Sequence, residues 1–161
     1  MMKYFAVAIS LLISSPAHAE DISTEDMNCL ALNSYFESRN QSPNGGIAVV
    51  HVVLNRHHDN RYPDTICGVV YDGVKNKDGS MRRYKCQFSW YCDGLSDKPR
   101  EHASWIDAVN RTLVALDLYN KGFDITHGST HYHSKNVKPY WSTTIDYITT
   151  IDDHHFYRWG K

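Results

Sequence analysis

Between residues 25 and 39 the apolar positions Met27, Leu30, Ala31, Leu32, Tyr35 and Phe36 recur at helical spacing. They point in several directions around the axis, which predicts a helix buried on more than one side. Ser23 and Asp26 precede the run with the spacing of a capping box, Asp standing where Glu is usual. The stretch NSYFESRNQSPNGG then carries one carboxylate, Glu37, before turning polar and glycine-rich. Glu37 shares a helical stripe with Leu30 and Asn33, which sets it beside apolar surface.

After the polar loop 40–42, Pro43 suits the first position of a second helix. GGIAVVHVVLNRHH is β-branched enough for a strand, but its length favours a helix. Almost every direction on that helix is apolar except a stripe holding His51 and Asn55, so it is expected at the centre of the fold. His51 is expected to be a hydrogen-bonded core residue. Asn55 and Arg56 are expected to tie this helix to its neighbours. YPDTICGVVYDG predicts a turn and a short helix capped by Asp64, and NKDGS a turn-rich loop. CQFSWYC reads as a compact aromatic strand or extended loop. A further helix is predicted over 99–120, with Ile106, Val109, Leu113 and Leu116 on one face and Gly122 as its stop. HYHSKNVKPYW, DYITTI and HHFYRW follow in short β-branched and aromatic pieces. Helices first and extended pieces after them predict a mainly helical α+β domain with a small β-sheet.

The first nineteen residues, MMKYFAVAISLLISSPAHA, stand apart from this pattern. Lys3, the apolar run from Phe5 to Ile13 and Ala17-His18-Ala19 have the layout of a cleavable export signal. An uncleaved anchor is the other reading. Residues 20–161 are expected to form one domain, exported to the periplasm or beyond and free of the membrane after cleavage. Removing Lys3 leaves 16 basic against 18 acidic side chains, a formal charge of −2. That balance argues against a protein whose main role is gripping nucleic-acid phosphates. Four cysteines, Cys29, Cys67, Cys86 and Cys92, predict disulfides in an exported chain, with three pairings open.

His127, His131 and His133 raise the question of a metal site, but H-E-x-x-H is absent and no C-x2-C pair occurs. There is no G-x-S-x-G elbow and no glycine-rich phosphate loop, and oxidised cysteines offer no thiolate. Carboxylate acid–base chemistry remains, and Glu37 is the best-placed candidate. Burial against Leu30, Tyr35 or Phe36 disfavours the anion and favours a protonated carboxyl that can donate to a glycosidic oxygen. A solvated helix end is the competing reading of the same residue.

The order ALNSYFESRNQSPNGGIAVVHVVLNRHH, YPDTICGVVYDG, CQFSWYCDG, HYHSKNVKPYW and HHFYRW resembles the SleB-type cell-wall hydrolase family, which includes spore-cortex-lytic enzymes and relatives in Gram-negative bacteria and phages. The most specific piece is the family's E-A-R-[GN]-[EQ] pattern followed by V-x-L-N-R. Here these read Glu37-Ser38-Arg39-Asn40-Gln41 and Val52-Val53-Leu54-Asn55-Arg56. Ser38, Asn40-Gln41 and the extended loop before Cys86 depart from it. The resemblance implies a lysozyme-like fold and a monomer that needs no cofactor or metal and acts on peptidoglycan glycan strands. It implies cleavage of the β-1,4 bond between N-acetylmuramic acid and N-acetylglucosamine as a lytic transglycosylase, with Glu37 as acid and then base. A hydrolytic muramidase and a non-catalytic peptidoglycan-binding module are the alternatives. No second acid clearly accompanies Glu37 in the sequence; Asp64, Asp72 and Asp93 qualify only if folding brings them near. Gln87, Phe88, Ser89 and Trp90 are expected to line the cleft, with Tyr132, His133, Asn136, Tyr140 and Trp141 on its opposite wall. Core packing is the competing role for Phe88 and Trp90, as is a structural hydrogen bond for His133. Arg39 is expected to hold its loop rather than touch sugar.

Overall fold

The computed structural model describes residues 22–160, so the export-signal reading of residues 1–19 lies outside the described residues. Helix α1 (Thr24–Glu37) starts where Ser23 Oγ accepts the Asp26 amide at 3.0 Å, and the Ser23 hydroxyl donates to the Asp26 carboxylate at 2.6 Å. The helix stops two residues short of Arg39. The Ser38 amide and hydroxyl both turn back to the Ser34 carbonyl, and Asn40 takes a left-handed φ of 62°.

Helix α2 (Pro43–His57) is the long β-branched run, with Pro43 in its first turn. Its Ser42 N-cap makes no side-chain bond of its own; the Ser42 amide donates instead to Asp152 at 2.9 Å, far along the chain. Burial from Gly45 to Leu54 is unbroken. One side meets α1, the short α3 (Ile66–Val70) and α4 (His102–Asn120) in a core of Leu30, Ile47, Val50, Val53, Leu54, Val69, Phe88 and Leu116. The other side, Ala48 and Val52, meets Phe156 of the sheet. The cap of α3 is Thr65, which accepts from the Gly68 amide at 3.0 Å, and not Asp64: only Thr65 lies three residues before that donor. His51 is fully buried, its Nε2 3.0 Å from the Ala115 carbonyl and its Nδ1 3.1 Å from the Ile125 amide. Asn55 reaches Asp124, Thr126 and the Ser129 carbonyl and accepts from the Tyr119 hydroxyl, so both polar side chains do tie the central helix to what surrounds it.

Two expectations for α4 are corrected. It begins at His102, not Pro99, and the Arg100 and Glu101 amides just before it donate to the Tyr35 hydroxyl. Its buried face is Ala108, Thr112, Ala115 and Leu116, whereas Ile106 and Leu113 are about half exposed. Small side chains let α4 approach α1 and α2 closely. A Cβ added at Gly46 of α2 would lie 2.6 Å from Arg111 Cδ.

The extended pieces form two small antiparallel sheets rather than one. Strands β1 (Gly73–Lys75) and β2 (Met81–Cys86) make a hairpin around NKDGS. CQFSWYC ends β2 and continues into a 3-10 turn, Ser89–Cys92. Strands β3 (His131–Ser134), β4 (Asp146–Ile151) and β5 (His154–Arg158) form the second sheet in the order β3-β5-β4. Register pairs Tyr132 with Phe156 and His133 with His155, so alternation puts Tyr132 and Phe156 on the inner face and His133 on the outer. The cysteines pair 29–67 and 86–92, the first clamping α1 to α3. No described helix is long and apolar enough to cross a membrane.

Candidate active site

Glu37 ends α1 where three elements converge, and it is partly buried. From β3 the Tyr132 hydroxyl donates to Glu37 Oε2 at 2.9 Å. From the last turn of α2 comes Arg56, only 4% exposed, its Nε donating to the Thr130 carbonyl at 2.7 Å. The guanidinium lies over the rings of Phe88 and Tyr62, 5.1 and 5.4 Å from their centroids. Burial pushes the Glu37 carboxyl above the ordinary range, and the Tyr132 hydrogen bond and the Arg56 charge pull the other way without cancelling it. Burial, with Glu37 beside it, holds Tyr132 well above the usual tyrosine range, so its hydroxyl stays a neutral donor. The trio can therefore keep a proton on Glu37 and also stabilise the carboxylate left when the proton departs.

A groove of about 470 Å3 opens beside this carboxyl, walled by Phe36, Glu37, Arg39, Ser89, Trp90 and the segment around Asp93 to Arg100. Of the expected cleft residues, Ser89 and Trp90 reach this wall and Tyr132 touches Glu37. Trp90 is 6% exposed: its Nε1 donates to Asn33 Oδ1 at 2.9 Å and its ring stacks on Phe36 at 4.7 Å. Most of the Trp90 side chain is therefore covered by protein. Phe88 is corrected to the core, 2% exposed beneath Arg56. Gln87 is exposed and lies outside the groove lining.

The proposed opposite wall divides. His133 faces outward, because it neighbours Tyr132 on a strand, and its nitrogens meet the Ser134 carbonyl at 2.8 Å and the Tyr157 hydroxyl at 2.9 Å. Trp141 packs on that outer face, 5.5 Å from His133 and 5.4 Å from Tyr157. Asn136 and Tyr140 are exposed in the connection after β3, Tyr140 at 87%. None of the four lines the groove that holds Glu37. His127 lies in an exposed turn, and among the described residues no three His, Cys, Asp or Glu side chains are grouped to hold a metal ion.

The sequence reading missed the segment 93–100 and the wall role of Arg39, whose guanidinium rests 5.0 and 5.1 Å over the Tyr35 and Phe36 rings. The polar run DGLSDKPR directly after a paired cysteine was the available signal. Folding also brings one acid into the groove: Asp93 lines it with Glu37, whereas Asp64 is exposed and Asp72 borders a different hollow beside β1.

The family model for cell wall hydrolases matches residues 40–157, beginning just after Glu37. This chain belongs to the cell wall hydrolase family. Among solved structures, the catalytic domain of the germination-specific lytic transglycosylase SleB from Bacillus anthracis is 26% identical, with a TM-score of 0.63 over 84% of this chain and 96% of that one. The catalytic domain of the Bacillus cereus SleB protein is 24% identical, with a TM-score of 0.62 over 91% and 99%. No curated protein sequence matches the chain significantly. The architecture of this cell wall hydrolase is thus the SleB-type, lysozyme-like α+β fold, and the chain is an enzyme of glycosidase type acting on the wall.

Proposed function

We propose that this cell wall hydrolase is an exported lytic transglycosylase that cleaves the β-1,4 bond between N-acetylmuramic acid and N-acetylglucosamine, with Glu37 as its acid and base. The observation that carries the reading is the Glu37 carboxyl, pushed toward its protonated form by burial, on the wall of a groove and held by Tyr132. The 26% identity to a lytic transglycosylase domain supports the same class.

In the first step Glu37 gives its proton to the bridging oxygen. The muramic C1–O bond breaks, the N-acetylglucosamine alcohol leaves, and positive charge develops at C1. The carboxylate that remains keeps its hydrogen bond from Tyr132 and the field of Arg56. In the second step it accepts the proton of the C6 hydroxyl as O6 bonds to C1, giving the 1,6-anhydro sugar and restoring the acid. An intramolecular hydroxyl replaces water as nucleophile, and proximity supplies the advantage.

Asp93 on the same groove supports a second reading, a hydrolytic muramidase, because hydrolysis needs a second carboxylate beside the scissile bond. Mass spectrometry of the products separates the two. The anhydro product lacks the added water and resists borohydride reduction, whereas a reducible muramic end overturns the transglycosylase reading. A binding module without activity predicts adhesion to the wall with no soluble fragments released. The leader-like residues 1–19 support export.

A further inference from the structure

Arg39 borders a second cavity, of about 320 Å3, between the C-terminal turn of α1 and α4. We infer that this cavity binds the zwitterionic end of the peptide stem that branches from a glycan strand; the inference rests on the reading of Glu37 as the glycan-cleaving acid. Four charged side chains face the space: Arg39, Arg111, Glu101 and Asp107. None of the four makes an ion pair among the described residues. Arg111 donates weakly to Ser38 Oγ at 3.4 Å, and Glu101 accepts from the Ser104 hydroxyl at 3.0 Å, which leaves most of their capacity unused.

Arg111 is fixed against the neighbouring helix. Its Cδ lies where a side chain at position 46 would be, so the glycine lets the stem of Arg111 lie against α2.

The chemistry selects the occupant. A sugar carries no ionic groups to match this wall, and a purely acidic or purely basic ligand leaves two of the four charges facing their own sign. A diamino acid end, with an ammonium beside a carboxylate, meets both arginines and both acids. Peptidoglycan stems present such groups. Because Arg39 lines both cavities, a muramic acid in the Glu37 groove starts its stem beside the second cavity. Three extended residues of stem reach about 10 Å from that attachment point.

The test compares two substrates with the full chain: stem-bearing peptidoglycan, and the same glycan strands stripped of stems by an amidase. Asp107→Asn alters an exposed side chain and keeps the fold, and Arg111→Met keeps the packed stem while removing the charge. Each is expected to lower kcat/KM on stem-bearing substrate about tenfold, the loss of one charge-assisted contact. Each should leave the rate on stripped strands unchanged. Equal losses on both substrates, or no loss on either, overturn the stem site. If the unmodified protein releases nothing from either substrate, the glycan-cleaving reading itself fails, and the stem site falls with it.

Discussion

Tyr132→Phe removes one hydroxyl and nothing else from the centre of the site. The ring stays packed, 5.6 Å from Phe156 and 5.1 Å from His154, so the fold is expected to survive. What disappears is the 2.9 Å bond to Glu37 Oε2. A hydrogen bond to an ionised group contributes about 1.5–3 kcal/mol and one to a neutral group about 0.5–1.5 kcal/mol. The difference, roughly 1–1.5 kcal/mol, is how much more the hydroxyl favours the carboxylate than the acid. In the transition state the proton is leaving Glu37, so losing that preference slows the plateau rate by up to about tenfold. The same hydrogen bond lowers the Glu37 pKa, so without it the carboxyl holds its proton to higher pH. The alkaline limb of activity, which reports ionisation of the required acid, should therefore move upward. Initial rates of fragment release from purified peptidoglycan across the pH range measure both quantities. A plateau and limb identical to the unmodified protein, or a limb moved to lower pH, would refute the assignment of Glu37 as the titrating acid.

Glu37→Gln should keep wall binding and lose activity by about 100-fold or more, the usual contribution of a general acid. Because burial raises the folded pKa of Glu37 above its ordinary 4.5, the stability it contributes is present below that value and is lost as pH rises through the folded pKa. The amide variant should therefore melt higher than the unmodified protein at neutral pH and no higher in acid, as followed by thermal unfolding at several pH values. Asp124 behaves in the opposite sense. Burial pushes its carboxyl up, but bonds from His51, Thr126, the Gly128 amide and Asn55 outweigh it and hold the group well below the ordinary 3.8. Its contribution is present above that value and fades as pH falls toward the folded pKa. Asp124→Asn should therefore cost about 1–3 kcal/mol at neutral pH and progressively less in acid, read from denaturant midpoints. Replacing Cys29 and Cys67 by Ser opens a crosslink across 38 residues and should cost about 4 kcal/mol, against about 2 for the six-residue Cys86–Cys92 loop, by the same measurement.

Helix α2 was legible from the chain because its signal is local and repeated: an uninterrupted apolar run too long for a strand, opened by Pro43 and closed by Arg56 and His57. The stripe of His51 and Asn55 likewise announced a polar line on a buried helix. Local spacing misjudged the face of α4, since Ile106 and Leu113 have the right period but the close approach at Gly46 gives the interface to Ala108, Thr112 and Ala115. Periodicity reports that a face exists; the size of what packs against it decides which face is chosen.

The sequence by itself determined the order of helices and strands and the position of one carboxyl on an apolar stripe at a helix end, because each depends on residues within a few turns of one another. Only the tertiary structure decided what surrounds that carboxyl. Tyr132, Arg56 and Asp93 come from three other segments, and strand alternation sends Tyr132 to Glu37 while turning His133 and its aromatic neighbours away. The protonation of Glu37 belongs to that second level. Burial is a property of the assembled neighbours, and no stretch of chain around position 37 contains them.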